Sequence, residues 1–230
     1  VVAATLRAVQ LLGRQFVLGQ TMREALKEAD VARTRTGVRF SYDMLGEGAR
    51  TGQDALRYLQ SYTNAIDFVA IRADKTGSLE GNDGISIKLS ALHPRYEDAQ
   101  GERVMDELVP RVWDLCVRAA RANINLTIDA EEVDRLELSL GVVEALLARV
   151  ARHHPQWTGF GLAMQAYQTR ALELIDHIAA LGRKYKVRLM CRLVKGAYWD
   201  AEIKRAQELR LPAYPVFTHK HHTDVSYLTY

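Results

Sequence analysis

The sequence predicts an α/β fold, a (βα)8 TIM-type barrel that is incomplete in this chain and is preceded by a helical lead-in. Two patterns carry this prediction. Strand-length apolar segments alternate with segments of helical period, as in a parallel sheet covered by helices. Polar or charged residues also stand near the C-terminal ends of many predicted strands, where a barrel places its active site. They are Asp43, Lys88, Asp129, Gln165, Arg192 and Lys195.

A doubly wound open sheet is the alternative architecture for this alternation. That fold usually has a glycine-rich turn after its first strand. The segment 46–52, GEGARTG, does not match the G-x-G-x-x-G pattern of such a turn. We therefore favour the barrel.

Residues 1–36 are predicted to form the helical lead-in, or arm. Thr21 and Glu24 have the spacing of a capping box ahead of Ala25 and Leu26. An earlier stripe, which could lie on a membrane surface but is expected to pack beneath the barrel, consists of Leu6, Val9, Leu12 and Phe16.

Residues 37–230 are predicted to form the barrel. Six segments have the length and apolar character of buried parallel strands: 38–45, 84–92, 125–130, 159–166, 188–196 and 215–219. Helical stripes occupy 104–119, 132–153 and 170–185. A complete barrel has eight strands in roughly 250 residues, so we expect its C-terminal part to be missing from this chain.

The composition is that of an ordinary globular protein. Of the 230 residues, 48% are hydrophobic and 26% are charged, and the net charge is +3. Basic residues are scattered among acidic ones, so we expect no nucleic-acid binding through this region. The two cysteines, Cys116 and Cys191, lie in apolar stretches, which favours a reducing compartment. No run of uncharged residues has the length of a transmembrane helix.

Lys88 lies in an otherwise apolar strand, and three interpretations are open. Its side chain could snorkel from the strand end into solvent. It could form a Schiff base with a carbonyl substrate if it is desolvated. It could instead stay cationic and hold a substrate carboxylate.

Asp129 ends the next predicted strand and is followed by Glu131, Glu132 and Asp134. The later acids fall at a predicted helix start, where the helix dipole favours anions. Asp129 precedes that helix, so it is the better candidate for a buried site group, with a helix cap as an equal alternative.

The segment RLVKGAYWD places Arg192, Lys195, Tyr198 and Trp199 at one strand end and its loop. It could be a solvated amphipathic loop. Cations beside aromatic rings would also suit a flavin, because a flavin gains negative charge on reduction and needs a flat apolar wall. Gln165 could reach the flavin pyrimidine or be structural, and Gly196 would allow close backbone approach.

His219, His221 and His222 raise the possibility of a metal site. Metal barrels take ligands from several strands, and the other predicted strand ends carry no His or Cys. We therefore expect solvated histidines and no metal.

Five motifs resemble the proline dehydrogenase domain of bifunctional proline utilisation A enzymes. They are GVRFSYDMLGE, GISIKLSALHPRYE, LTIDAEEVDRLE, GLAMQAYQTR and RLVKGAYWDAEIKRAQ, and the similarity runs from about Arg14 to Leu228. The resemblance implies an FAD-bound barrel that oxidises L-proline to Δ1-pyrroline-5-carboxylate and passes electrons to ubiquinone. It also implies a fused or associated pyrroline-5-carboxylate dehydrogenase, and a cytoplasmic protein held peripherally at the inner membrane.

The resemblance assigns roles around the substrate. Lys88 matches a lysine that binds the proline carboxylate, Asp129 an active-site aspartate, and Tyr198 a wall of the proline pocket. Glu47 matches an acid near the substrate-binding arginines. The family's paired arginines have no counterpart in this sequence, so we expect these 230 residues to lack part of the carboxylate clamp.

The resemblance also implies flavin contacts. Arg192 matches the arginine beside flavin N5, and Gln165 matches a ligand of the pyrimidine ring. Further FAD-contacting positions are Val194, Lys195, Gly196, Ala197, Trp199, Thr218, His219 and Lys220.

Two rival functions remain open from the sequence. One is a barrel lyase that uses Lys88 as a Schiff base. The other is an inactive scaffold or engineered fragment that binds partners. Neither rival accounts for a bound flavin.

Overall fold

The computed structural model describes residues 13, 17–44, 46 and 48–229. Its sheet contains β1 Ser41–Asp43, β2 Gly84–Ile87, β3 Leu126–Ile128, β4 Phe160–Gln165 and β5 Met190–Val194. Each strand pairs in parallel with the next along the chain, in the order β1-β2-β3-β4-β5. This arrangement is half of a barrel, which confirms the predicted fold class, incomplete as expected.

Helices connect the strands and cover one face of the sheet. They are α1 Met22–Thr36, α2 Gly52–Ala70, the single turn α3 Leu89–Leu92, α4 Gly101–Ala122, α5 Leu136–His153, α6 Ala171–Tyr185, α7 Trp199–Glu208 and α8 Lys220–Thr229. The core lies between these helices and the sheet, where Ile85, Leu126 and Phe160 stand in register and are fully buried. The alternate positions, such as Ser86 and Thr127, face the barrel interior.

The three predicted helices at 104–119, 132–153 and 170–185 are confirmed as α4, α5 and α6, but sequence reasoning missed α2. A signal for α2 is present in the sequence. Thr51 Oγ1 accepts a hydrogen bond from Asp54 N at 3.1 Å, and Asp54 Oδ2 accepts one from Thr51 N at 2.9 Å. This capping box precedes a stripe that buries Tyr62 and Ile66.

Two of the predicted strands differ in the structure. The strand predicted at 84–92 ends at Ile87, and Leu89–Leu92 forms a helical turn instead. The segment 215–219 is not a strand of the sheet, because it crosses the loop that follows β4. Val216 makes an isolated antiparallel bridge with Gln168, and Phe217 N donates to Tyr167 O at 2.8 Å.

The lead-in helix α1 begins where its cap predicted. Thr21 Oγ1 accepts a hydrogen bond from Glu24 N at 3.2 Å, while the Glu24 carboxylate accepts from Gln20 N at 3.0 Å. The helix ends at Thr36 and is capped by Gly37, which has a φ of +69°. Its buried face belongs to the common core, and the stripe from Leu6 to Phe16 lies outside the described residues.

Within the described part of the chain, each helix is either too short or too polar to cross a bilayer.

Candidate functional site

Four strands bring together the strand-end cluster, which consists of Asp43, Lys88, Asp129 and Arg192. The first three residues stand at the carboxyl ends of β1, β2 and β3, and Arg192 lies within β5. Lys88 Nζ donates to Asp43 Oδ2 at 2.8 Å and to Asp129 Oδ2 at 3.1 Å. Arg192 donates to the other oxygen of Asp129 and, at 2.7 Å, to Ser86 Oγ. Residues that are 41 to 106 positions apart in the sequence thus come together at one edge of the sheet.

Lys88 is held in its cationic form. Its side chain is 14% exposed, so it does not snorkel into solvent. Burial alone would lower the pKa of Lys88, but the hydrogen bonds and charges of Asp43 and Asp129 outweigh this effect and raise the pKa. The backbone N–H of Lys88 donates to the buried Tyr62 hydroxyl at 3.1 Å, which anchors the strand end.

Asp129 is buried at the end of β3 and is not a helix cap. Its carboxylate, 8% exposed, is shared by Lys88 and Arg192. The 3-10 turn that follows begins at Val133, and its N-cap is Glu132. The contacts of Asp129 with Lys88 and Arg192 therefore favour its interpretation as a buried group at a strand end over its interpretation as a helix cap.

Gln165 is fully engaged with the protein at both ends of its amide. Nε2 donates to Glu131 O at 2.9 Å, and Oε1 accepts from Ala197 N at 3.0 Å. The side chain is buried at the end of β4. It joins the loop after β3 to the loop after β5, and so fixes the backbone position of Ala197 in the predicted flavin-contacting loop.

The loop after β5, residues 194–199, turns sharply at Gly196. The φ of Gly196 is +143°, and a Cβ there would lie 2.3 Å from the Tyr167 ring. The packing of the Tyr167 ring therefore requires a glycine here. This reason is separate from the close approach of a cofactor that the sequence suggested. Tyr198 then caps α7, and Trp199 follows it as an exposed residue.

Trp199 connects this loop to the second predicted flavin segment. Its Nε1 donates to Phe217 O at 2.8 Å, next to Thr218, His219 and Lys220, which are exposed. The structure thus places the two predicted flavin-contacting segments side by side.

Lys195 turns away from the strand-end cluster and toward α8. Its Nζ donates to Asp224 Oδ1 at 2.5 Å, and Lys220 Nζ donates to Asp224 Oδ2 at 2.6 Å. These two hydrogen bonds lower the pKa of Asp224 to about 2. Asp224 thereby joins Lys195 of the loop after β5 to Lys220 at the start of α8.

The three histidines lie next to one another at the start of α8. The ring centroids of His221 and His222 are 4.3 Å apart. In the described ranges, no group of three or more His, Cys, Asp or Glu side chains has an arrangement that could hold a metal ion.

Sequence reasoning missed the part that Asp43 and Glu131 play. The sequence places Asp43 at a strand end but predicts no role for it, although it is a direct partner of Lys88. Glu131 was interpreted as a helix-start acid, yet its carboxylate accepts from Ser90 N at 2.9 Å. Glu47 lies outside the described residues.

The residues present fit FAD. The guanidinium of Arg192 is held at the strand ends by Asp129 and Ser86 and is partly exposed. In the loop that follows, the exposed Gly196 and Trp199 offer an accessible backbone and an aromatic face. This combination suits a planar cofactor that gains negative charge on reduction.

Comparisons with known proteins agree with this geometry. A family model described as proline dehydrogenase matches residues 25–230. The Bifunctional protein PutA of Klebsiella aerogenes and that of Escherichia coli (strain K12) are each 50% identical over 224 residues, which is 96% of this chain and 16% of each relative. The chain therefore spans about a sixth of the length of these curated relatives.

Solved structures give the same result. Proline Utilization A from Bradyrhizobium japonicum, in a mutant form, matches with a TM-score of 0.86 at 52% identity, over 99% of this chain and 23% of that one. Proline utilization A from Bdellovibrio bacteriovorus, inactivated by N-propargylglycine, matches with a TM-score of 0.89 at 25% identity, over 98% of this chain and 24% of that one.

Proposed function

Because the chain belongs to the proline dehydrogenase family, we propose that it forms the proline-carboxylate site and one side of the flavin site of an FAD-dependent proline dehydrogenase. In this proposal L-proline is oxidised to Δ1-pyrroline-5-carboxylate, with hydride passing from proline C5 to flavin N5. The observation that carries the proposal is the strand-end cluster, in which a half-buried lysine and a partly exposed arginine share Asp129.

Lys88 would bind the proline carboxylate. Two carboxylates already keep its ammonium charged, and Asp43 is the more exposed of the two, at 42% against 8% for Asp129. An incoming carboxylate would therefore take the place of Asp43 on Lys88 while Asp129 stays. Such a charge-assisted hydrogen bond would fix the ring so that C5 faces the flavin.

FAD, when bound, would supply the acceptor for the hydride, which carries both electrons of the oxidation. Arg192 would place a positive charge where negative charge develops, and Asp129 and Ser86 hold its guanidinium in that orientation. Tyr198 would close the proline pocket against water. The proline amine must be neutral, because its lone pair forms the imine as hydride leaves, and we assign no general base.

The Schiff-base alternative is not favoured by the surroundings of Lys88. A Schiff base needs a neutral amine, which burial or a neighbouring cation provides by lowering the pKa of a lysine. Asp43 and Asp129 act in the opposite direction on Lys88.

The proposed route for the electrons leads to ubiquinone, and the proposed partner is a fused or associated pyrroline-5-carboxylate dehydrogenase. The curated relatives are bifunctional by name. We further propose peripheral contact with the inner membrane through parts outside these residues, strengthened on flavin reduction. Vesicle pelleting of the intact protein, with and without proline, tests this, and binding that is indifferent to proline would contradict it.

Turnover of L-proline by the intact protein tests the proposed function. With a soluble quinone as acceptor, we expect the cyclic imine Δ1-pyrroline-5-carboxylate as product. Addition of borohydride during turnover should leave the mass of the protein unchanged. Absence of the imine would overturn the proposal, and a covalent adduct on Lys88 would establish the lyase instead.

A further inference from the structure

We propose that Glu131 is a positioning residue that fixes the backbone of the loops carrying the strand-end cluster. This inference rests on the proposed function, because it adds a residue to that same site. Glu131 follows Asp129 by two residues, and its side chain is 3% exposed. It contacts none of the four members of the cluster through its carboxylate, according to the described contacts, so its effect would be exerted through the backbone.

The Glu131 carboxylate connects the ends of β2 and β3. Its Oε1 accepts a hydrogen bond from Ser90 N at 2.9 Å. Ser90 follows Lys88 by two residues, just as Glu131 follows Asp129. The other carboxylate oxygen accepts from Arg135 Nη1 at 2.9 Å. One side chain thus holds the two backbone segments that carry the paired Lys88 and Asp129.

The connection continues in both directions along the sheet edge. The carbonyl of Glu131 accepts from Gln165 Nε2, and Gln165 Oε1 accepts from Ala197 N. On the other side, Ser90 O accepts from Ala49 N at 2.9 Å. We call this series the strand-end belt: Ala49, Ser90, Glu131, Gln165 and Ala197. It runs from the loop after β1 to the loop after β5.

Glu131 is the only charged member of the belt, so its substitution should disturb the belt most. A buried carboxylate is costly unless its oxygens are paired. Burial raises the pKa of the Glu131 carboxyl, while the Ser90 hydrogen bonds and the nearby Arg135 act against this rise. A residue needed for packing alone would not require a carboxylate here, whereas a residue that fixes the Ser90 N–H requires an acceptor oxygen.

Three variants of the intact, flavin-loaded protein distinguish a role in packing from a role in fixing the Ser90 N–H. Glu131→Ala removes the acceptor, and Glu131→Gln keeps one oxygen for Ser90 N. Glu132→Ala is the matched control, because Glu132 lies 2.9 Å from the same Arg135 but one residue further along the chain. Two measurements are made on each variant: steady-state kinetics with proline, and hydrogen exchange of the backbone amides of Ser90 and Ala197.

We expect Glu131→Ala to lower kcat/KM by about tenfold or more, mainly through KM, and to speed exchange at Ser90 by a similar factor, as loss of one charged hydrogen bond would. Glu131→Gln should lose about threefold, and Glu132→Ala should stay within about twofold of the parent. If Glu131→Ala does not fold, Glu131→Gln against Glu132→Ala carries the same comparison.

Equal kinetics and equal exchange in the Glu131 variants and the Glu132 control would overturn the inference. Failure of the proposed function looks different. In that case the parent itself does not oxidise proline, and the exchange of Ser90 and Ala197 still decides whether the belt depends on Glu131.

Discussion

At the scale of single residues, the two cations of the strand-end cluster are already neutralised by two carboxylates. Lys88 is bound by Asp43 and Asp129, and Arg192 is bound by Asp129. A substrate carboxylate can therefore gain Lys88 only by competing with an existing partner. Asp43 is the more exposed of the two and is the partner that we expect to yield.

Replacement of Lys88 by methionine tests its assignment to the substrate. We expect the proline KM to rise at least about tenfold, because a charged hydrogen bond worth about 1.5–3 kcal/mol is lost. The flavin content should stay near that of the parent. The matched control is Lys184→Met, which removes an exposed lysine from its pair with Glu144. A loss of flavin as large as the loss of proline affinity would show that Lys88 is wrongly placed.

The sequence allowed prediction of which residues stand at the strand ends, but not of their partners. Lys88 and Asp129 could be found because each directly follows an apolar strand of a parallel sheet, and Arg192 because it lies in the C-terminal half of a predicted strand. The pairing of Lys88 with Asp43 joins residues 45 positions apart, and local patterns do not specify side-chain rotamers. For the same reason the sequence could not show that both ends of the Gln165 amide are bound by neighbouring loops.

At the scale of elements, the loop after β5 depends on a glycine. The positive φ of Gly196 and the Tyr167 ring behind it leave no room for a side chain. This loop carries the positions proposed to contact FAD. Its backbone is also held from below, since Tyr167 N donates to Lys195 O at 2.8 Å.

Replacement of Gly196 by alanine should destabilise the protein by about 1–3 kcal/mol, because the added methyl group meets Tyr167 in an unfavourable backbone conformation. Flavin content should fall as well. Gly141→Ala is the matched control: it lies inside α5 with its nearest contact 3.9 Å away, so it should stabilise by about 0.5–1 kcal/mol. Urea unfolding measures both, and an unchanged stability in Gly196→Ala would contradict this account of the loop.

The junction between α7 and the β3 loop makes a prediction about pH. Glu202 on α7 is buried and accepts from Val133 N at 2.7 Å. Burial raises the pKa of its carboxyl, and the charges of Asp134 and Glu132 add to the rise, against the Val133 hydrogen bond and Arg205. The folded state therefore holds this proton more tightly than the unfolded state, so stability declines as the pH rises above the ordinary value of 4.5.

Replacement of Glu202 by glutamine removes this dependence, because an amide oxygen still accepts from Val133 N but does not ionise. The free energy of unfolding of Glu202→Gln relative to the parent should increase as the pH is raised from about 4 to about 8. Urea unfolding at several pH values measures it. A difference that is constant with pH, or that declines, would mean that Glu202 carries no unfavourable buried charge.

At the scale of the whole molecule, the parallel order of the first five strands could be predicted because βαβ units permit few arrangements. The boundaries could not. The strand at 84–92 stops early because Leu89–Leu92 turns into a helix beside the belt, and 215–219 pairs with the loop after β4 instead of the sheet. Both exceptions lie at the edge of the sheet that carries the site. There the conformation is set by contacts between loops and not by the local hydrophobic pattern.

The most direct test of the central claim is the visible absorbance spectrum of the intact protein, recorded without oxygen before and after addition of L-proline. The account predicts a flavin spectrum that is bleached by proline in the parent, and bleached far more slowly in Arg192→Met, where one preorganised donor worth about 2.7–4 kcal/mol is removed. A colourless protein, or a flavin spectrum that proline leaves unchanged, would contradict the claim that these strand ends bind a flavin and its proline substrate together.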